Sequence, residues 1–544
     1  MKKLIILLIT FGAICYLIST TAKAQTLVWK GTVNNDFFNE NNWQDSSTLT
    51  QPGQGTLEPG VAIGRILFIT NVTNKIIANG TINMGGVFLH ISSAHLKGTA
   101  IQNASQLTLS DRAYLDLSSS EPLINVSYIN LADGLSWLRT LNYNHNEIVA
   151  NLLDVIKINT ENAVYKTNLR LDNYYLNGCV IRGILPSTIP LKTFTGINLT
   201  ETVDSFIVDT IYKEGEYLPA VDVNNIESFV LRKGYMVTFA TNADGTGKSK
   251  VYIASEEDLV INKLPLALQN SISFIRVLPW NWVNKKGVTG ADYVLLDAQW
   301  RYDWGDNVNS TTSRNLEFVP MSWMSTGTQP TRIATRIAAY GTTHIMSFNE
   351  PDSANQSGQY DNFTDFNASV PFHKKLMQIG CRIVSPGCLE DGVFGYLANF
   401  NTLARSTDVR MDAISIHWSD WGNYTTGEGT VTGLQIFNRF KVHLKKVYDT
   451  FGLPIWITEF NANPNRSAAV QAEFMTLALP YLESLDYVER YNWFQSANGN
   501  SDLYFGKVAA NGLTPLGTIY RNQISTPSIP ERIVNERNNL NLKQ

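Results

Sequence analysis

Between residues 279 and 524 the chain alternates eight short apolar stretches with longer segments of helical period, and few folds accept that pattern. The stretches are Asn281–Gly287, Asp297–Trp304, Leu316–Trp323, His344–Glu350, Arg382–Ser385, Asp412–Trp418, Pro454–Phe460 and Glu489–Phe494. Helical patterns lie between several of them, as at Val370–Ile379 and Gln435–Phe451. The second puts Ile436, Phe440, His443 and Val447 on one face. Eight strand–helix units in about 245 residues is the size of a (β/α)8 TIM barrel. The expected architecture is therefore multidomain, with this barrel at the C-terminal end and all-β modules before it.

Residues 25–203 form a β-rich accessory region. Val87, Leu89 and Ile91 alternate, as do Ala113, Leu115 and Leu117, and clusters such as Asn79-Gly80 and Gly85-Gly86 separate the runs. No fixed period emerges, so a β-solenoid and a sandwich both remain open. Trp29 and Trp43 suit a capping cluster better than a sugar platform. Residues 204–278 read as a second β unit. Its strands are Ser228–Leu231, Gly234–Phe239, Ser249–Ile253 and Ser273–Val277, with a turn at Asn242–Gly245. Gly247-Lys248-Ser249 looks like the end of a phosphate loop, but Asn242 stands where that loop needs glycine, so this is a hairpin turn. The unit resembles a βγ-crystallin-type Greek-key module. Such modules bind calcium through a string that Asn224-Asn225-Ile226-Glu227-Ser228 matches. Gln269-Asn270-Ser271-Ile272-Ser273 departs from it at the first position. The resemblance makes calcium an optional ligand of a structural module; no other cofactor is expected.

The first 24 residues read as a signal peptide. Lys2 and Lys3 precede an apolar run to Ile18, and Ala22-Lys23-Ala24 is a small-x-small cleavage site. Cleavage after Ala24 gives a secreted or periplasmic protein, and no later stretch is long enough to span a membrane. With 43 basic against 47 acidic residues, the chain has no general attraction to nucleic acid. Cys179, Cys381 and Cys388 remain after cleavage and suit buried thiols. Neither cysteine nor histidine spacing suggests a metal centre. The polar segment 525–544, with Pro527 and Pro530, reads as a flexible tail. Oligomeric state is not written in these features.

Active-site residues of such a barrel sit at the C-terminal ends of the strands. The fourth stretch ends in Asn349-Glu350-Pro351-Asp352, the sixth in His417-Trp418-Ser419-Asp420-Trp421, the seventh in Thr458-Glu459-Phe460-Asn461, and the eighth in Asn492-Trp493-Phe494. A carboxylate ending a buried strand is costly unless it is paired or lines a cleft. Two of them facing one cleft can divide the labour of glycoside hydrolysis: one protonates the glycosidic oxygen and the other attacks the anomeric carbon. Nine of the twelve tryptophans fall in this region. Trp304, Trp323, Trp418 and Trp421 lie at or just past strand ends, where flat indoles suit sugar faces. Trp456 lies mid-strand and suits the core.

Phe318-Val319-Pro320-Met321, Phe348-Asn349-Glu350-Pro351-Asp352, Ser415-Ile416-His417-Trp418 and Trp456-Ile457-Thr458-Glu459-Phe460, in this order, resemble the glycosyl hydrolase catalytic core of the Asl1-like type, glycoside hydrolase family 128 of clan A. The resemblance covers residues from about 283 to 500. It implies a retaining endo-β-1,3-glucanase with Glu350 as general acid/base and Glu459 as nucleophile. It further implies that Asn349 binds the sugar 2-hydroxyl, that His417 sits beside Glu459 and holds it ionised, and that Trp493 floors the sugar subsite nearest the cleavage point. The expected partner is a polysaccharide. Hydrolysis of another β-linked glycan, and a polysaccharide-binding surface protein without turnover, are the competing readings.

Overall fold

The structure, a computed structural model, describes residues 25–175, 177–220, 222–289, 295–306, 316–323, 332–335, 341–424 and 431–536. The leader read from residues 1–24 and the last eight residues of the tail lie outside the described residues. The chain divides into two compact units. One runs to Leu171 and takes in Gly178–Leu185; the other is Asp172–Asn177 with everything from Pro186 on.

The first unit is a three-faced stack of parallel strands, the solenoid arrangement rather than a sandwich. Leu67, Leu89, Leu107, Ile129 and Ile156 stand in register on five successive strands, and Ile69, Ile91, Leu109, Leu131 and Ile158 form a second column. Both columns are fully buried. The partners lie at unequal sequence intervals, so no period is visible in the sequence. At one corner Asn125 donates to Asn103 and Asn103 to Asn83, each at 3.1 Å, a ladder that satisfies corner amides. Trp29, Phe37 and Trp43 close the first coil with edge-to-face contacts at 5.2 Å.

The second unit opens with a sandwich of two four-stranded antiparallel sheets, ordered 203–206, 191–194, 228–231, 259–261 and 211–213, 274–279, 235–240, 249–254. Taken as two successive motifs of four strands, each lends its third strand to the other's sheet. The sandwich begins at Leu191, not at residue 204: Leu191–Phe194 pairs in register with Ser228–Leu231, so its first strand falls inside the segment read as accessory and its second, Val203–Phe206, starts at that segment's last residue.

Eight parallel strands follow: β1 Lys286–Thr289, β2 Trp300–Tyr302, β3 Glu317–Phe318, β4 His344–Met346, β5 Arg382–Val384, β6 Ile414–Trp418, β7 Ile455–Phe460 and β8 Val488–Trp493. Ladders join β1 to β2, β2 to β3, β4 to β5, β6 to β7, β7 to β8 and β8 back to β1. Bridges at Met321–Met346 and Val384–Ala413 supply the remaining two contacts and close the barrel. Trp300, Tyr302, Val319, Met321, Met346, Val384, Ala413 and Trp456 pack as one core cluster. The longest helix, Gly433–Phe451, starts at a capping box formed by Thr432 and Gln435, and buries Ile436, Phe440, Leu444 and Val447. The tail is not free through its described part. Ser528 donates its backbone N–H to Val283, Lys285 donates to Thr526, and the Asn535 side chain bonds both backbone groups of Ile253.

Candidate active site

Strand β7 shows how a glutamate comes to face a cleft. Trp456 belongs to the barrel core, and Phe460 packs outward on Phe440 and Phe474 of the helices. Strict alternation would put residues 456 and 460 on the same side. A bulge breaks it: Ile416 pairs with Ile457, and His417 with Glu459, leaving Thr458 as the extra residue. Thr458 bonds Ser415 inside the barrel at 2.7 Å, and Glu459 faces inward beside it. On β4 the device is different. Glu350 lies just past the strand in the left-handed region, φ 45°, with its N–H donated to Gly387. A non-glycine residue held there is strained.

The two carboxylates meet at His417. Nδ1 of His417 lies 2.8 Å from Glu350 Oε1, and Nε2 lies 3.7 Å from Glu459 Oε1. His417 therefore sits between the glutamates, with its hydrogen bond to Glu350, and not beside Glu459 alone. Gly387 makes room for the ring, because a Cβ there would fall 3.0 Å from Nε2. Glu459 Oε1 also receives the indole N–H of Trp304 at 3.0 Å and is 3.2 Å from the Tyr302 hydroxyl. Burial pushes the Glu459 carboxyl up, and Glu350 adds to this; His417, Trp304 and Tyr302 pull it back. Burial alone would lower His417, but Glu459 and Glu350 outweigh it and raise it to about 9. The three side chains offer one donor atom each within 4.8 Å of one another, which is also metal-like spacing.

The other expected residues divide. Asn349 lies next to the pair, buried, with its backbone N–H donated to Ser357 Oγ and its Oδ1 without a partner among the described residues. Trp323 is half-buried against Tyr360, and its carbonyl accepts the Ser357 hydroxyl at 2.6 Å. Trp421 is 50% exposed on the loop after β6, where Glu390 accepts the N–H groups of Ser419, Trp421 and Gly422. Trp304 is at the site, but its N–H goes to Glu459. Trp493 and Trp418 are corrections. Trp493 is 1% exposed beneath Phe460 and Phe474 and donates to Ser501, so no face is open to sugar. Trp418 is 2% exposed between Phe440, His443 and Phe474. Strand alternation explains it: with His417 inside, its neighbour must point outward. Trp456 is core, as expected.

Sequence reasoning missed Tyr302 and Asp352. Tyr302 stands two residues before Trp304 in the expected stretch Asp297–Trp304, where strand alternation puts both on one face, a signal present in the sequence. Burial raises Asp352 to about 6, and it accepts the Leu389 N–H at 3.1 Å. In the sandwich, the two strings compared with calcium sites face each other. Asn270 donates to Glu227 at 2.7 Å and Ser273 to Asn224 at 3.3 Å, while the Ser228 hydroxyl already bonds Gly196 and Leu199. Cys179, Cys381 and Cys388 are buried thiols.

A family model described as glycosyl hydrolase catalytic core matches residues 278–520. The chain is 25% identical over 264 residues to alkali-sensitive linkage protein 1 of Schizosaccharomyces pombe. That match covers 46% of this chain and 45% of the relative, so the chain spans about half the length of the curated relative it matches. Among solved structures, an endo-β-1,3-glucanase of Amycolatopsis mediterranei in complex with laminarihexaose is similar at 27% identity over 44% of this chain and 100% of that one, with a TM-score of 0.37. A curdlan-specific exo-β-1,3-glucanase of Blastomyces gilchristii is similar at 24% identity over 44% of this chain and 97% of that one, with a TM-score of 0.35. No helix among the described residues is long and apolar enough to cross a membrane. The matched segment, residues 278–520, encloses the barrel and both glutamates, so this part of the chain is similar to a glycosyl hydrolase catalytic core.

Proposed function

We propose that the chain hydrolyses β-1,3-glucan from within, with retention of anomeric configuration. Glu459 is the nucleophile and Glu350 the general acid/base. The observation that carries this reading is the Glu350–His417–Glu459 cluster at the C-terminal mouth of the barrel. One oxygen of each carboxylate lies within 4.8 Å of the other, short of the about 6.5–9.5 Å that an inverting enzyme needs for its water. In the first step Glu350 gives its proton to the glycosidic oxygen as a Glu459 oxygen bonds the anomeric carbon. In the second, Glu350 takes a proton from water, which displaces Glu459. Trp304 and Tyr302 hold Oε1 of Glu459, which leaves Oε2 to attack. The protonated His417 offsets the negative charge of the pair. Asn349 Oδ1, buried without a partner among the described residues, is an acceptor for a sugar hydroxyl. The β-1,3 linkage and the internal mode of cleavage rest on the family resemblance. Export rests on the leader sequence, and a mature N-terminus at Gln25 would support it.

Reducing-sugar release from a panel of β-glucans, wild type beside Glu459→Gln, tests the reading. Release from β-1,3-glucan that vanishes in the variant, with a 2-fluoro-glucosyl label trapped on Glu459, supports it. Release from a different β-glycan keeps the mechanism and discards the substrate. No release anywhere, with one glycan still bound, would make the chain a binding protein.

A further inference from the structure

At the first coil of the solenoid, far in sequence from the catalytic core, lies a cavity of about 710 Å³ that the reaction does not use. Its walls are Trp29–Gly31, Val33–Asn35 and Thr70–Ile76. This is the size range of small-ligand sites. Its chemistry departs from that of the chain. Acids outnumber bases in the whole sequence, 47 to 43, yet the lining carries Lys30, Lys75 and four asparagines and no carboxylate. Among the described residues neither lysine is ion-paired.

A second observation concerns Trp29. Its ring is 5% exposed, with its face held edge-on to Trp43, so it cannot serve as a stacking platform. Its indole N–H is different. Trp43, its neighbour in the same cluster, donates to the Phe37 carbonyl at 2.8 Å, whereas Trp29 Nε1 has no acceptor among the described residues. Trp29 lines the cavity, so this N–H is a donor open to a bound oxygen. Gly31 keeps that edge open: its φ is +59°, and a Cβ there would fall 2.8 Å from Nε1.

We propose that this cavity binds an acidic saccharide unit, a sugar bearing a carboxylate or a sulfate ester. The lysines would meet the anion. The Trp29 N–H and the asparagine amides, which both donate and accept, would meet hydroxyls. The site is separate from the glutamate pair and does not depend on the function proposed for it.

Calorimetry on the full chain at low ionic strength tests this. The probes are a galacturonate tetrasaccharide, a sulfated galactan tetrasaccharide, neutral laminarihexaose and sodium sulfate. One acidic oligosaccharide should bind, and which one decides between carboxylate and sulfate. Lys30→Gln and Lys75→Gln should each weaken it about tenfold. Trp29→Phe, which removes only the N–H and part of the ring, should weaken it about fivefold, and Gly31→Ala, whose Cβ would press on the same indole edge, should do likewise. Laminarihexaose should not compete, and glucan hydrolysis should be unchanged in all four variants. The proposal fails if neither acidic oligosaccharide binds at millimolar concentration or if binding is equal in wild type and all four variants. It also fails if sodium sulfate binds as tightly as the sugar, which would mark a simple anion site.

Discussion

At the scale of single residues, the site depends on what holds Glu459. Trp304 and Tyr302 both reach Oε1, and hydrogen bonds to a charged acceptor are among the stronger ones. Trp304→Phe should therefore lower kcat about tenfold to hundredfold with KM little changed, read by steady-state kinetics on a laminari-oligosaccharide. An equal rise in KM would return Trp304 to sugar binding. His417 predicts a pH limit. Its pKa is raised above the ordinary 6.5 to about 9, so the stabilisation from its charge is complete below about 6.5 and is lost as pH rises through about 9. Activity and thermal stability should fall together on that alkaline limb, and His417→Gln should remove the limb from a stability-versus-pH curve. The strings around these residues were legible as strand ends carrying acid and amide. The partners were not, because Tyr302 reaches Glu459 from β2 and His417 reaches Glu350 from β6, over sequence separations that no local pattern encodes.

At the scale of elements, two irregularities aim the glutamates: the bulge at Thr458 and the left-handed turn at Glu350. Neither is visible in a hydrophobic pattern, which records burial but not the side a residue faces when every position of β7 is buried. Trp418 and Trp493 were misread for that reason. Both close their strands, and both point to the helices. Gly387, after β5, is the neighbour that lets His417 into place. Gly387→Ala should cost about 1–3 kcal/mol of stability through the contacts with His417 and with Ser415 Oγ at 2.9 Å. It should also lower kcat by displacing the ring. Denaturant unfolding and kinetics on the same sample separate the two effects, and wild-type values for both would refute the steric argument. The helix Gly433–Phe451 shows the opposite case, where sequence sufficed. Its period and its Thr432–Gln435 cap are local. Thr432→Ala should cost about 1 kcal/mol by the same unfolding measurement and leave kcat unchanged.

At the scale of the whole molecule, the barrel is held at its base by a buried ionic layer. Arg382 from β5 binds Glu489 from β8 with two hydrogen bonds, and Arg490 binds Glu317 from β3 at 2.6 Å. His344 from β4 lies between the two acids. The arginine partners hold both acids well below the usual carboxylate range despite burial, which alone would raise them. Glu489→Ala should cost about 3–5 kcal/mol, because it strands a fully buried arginine. A loss under about 1 kcal/mol in denaturant unfolding would show that the layer contributes little. The eight strand stretches, the alternation of the solenoid and the strand ends bearing Glu350 and Glu459 were fixed by local period and composition, which act over a few residues and can be read from any chain. Tertiary structure alone decided which way each buried side chain faces, that His417 bridges both acids, that the sandwich starts at Leu191 and that the tail packs through Ser528 and Asn535. Those outcomes depend on register between strands distant in sequence and on which partner fills the space, and pairwise geometry of that kind exists only once the chain has closed on itself.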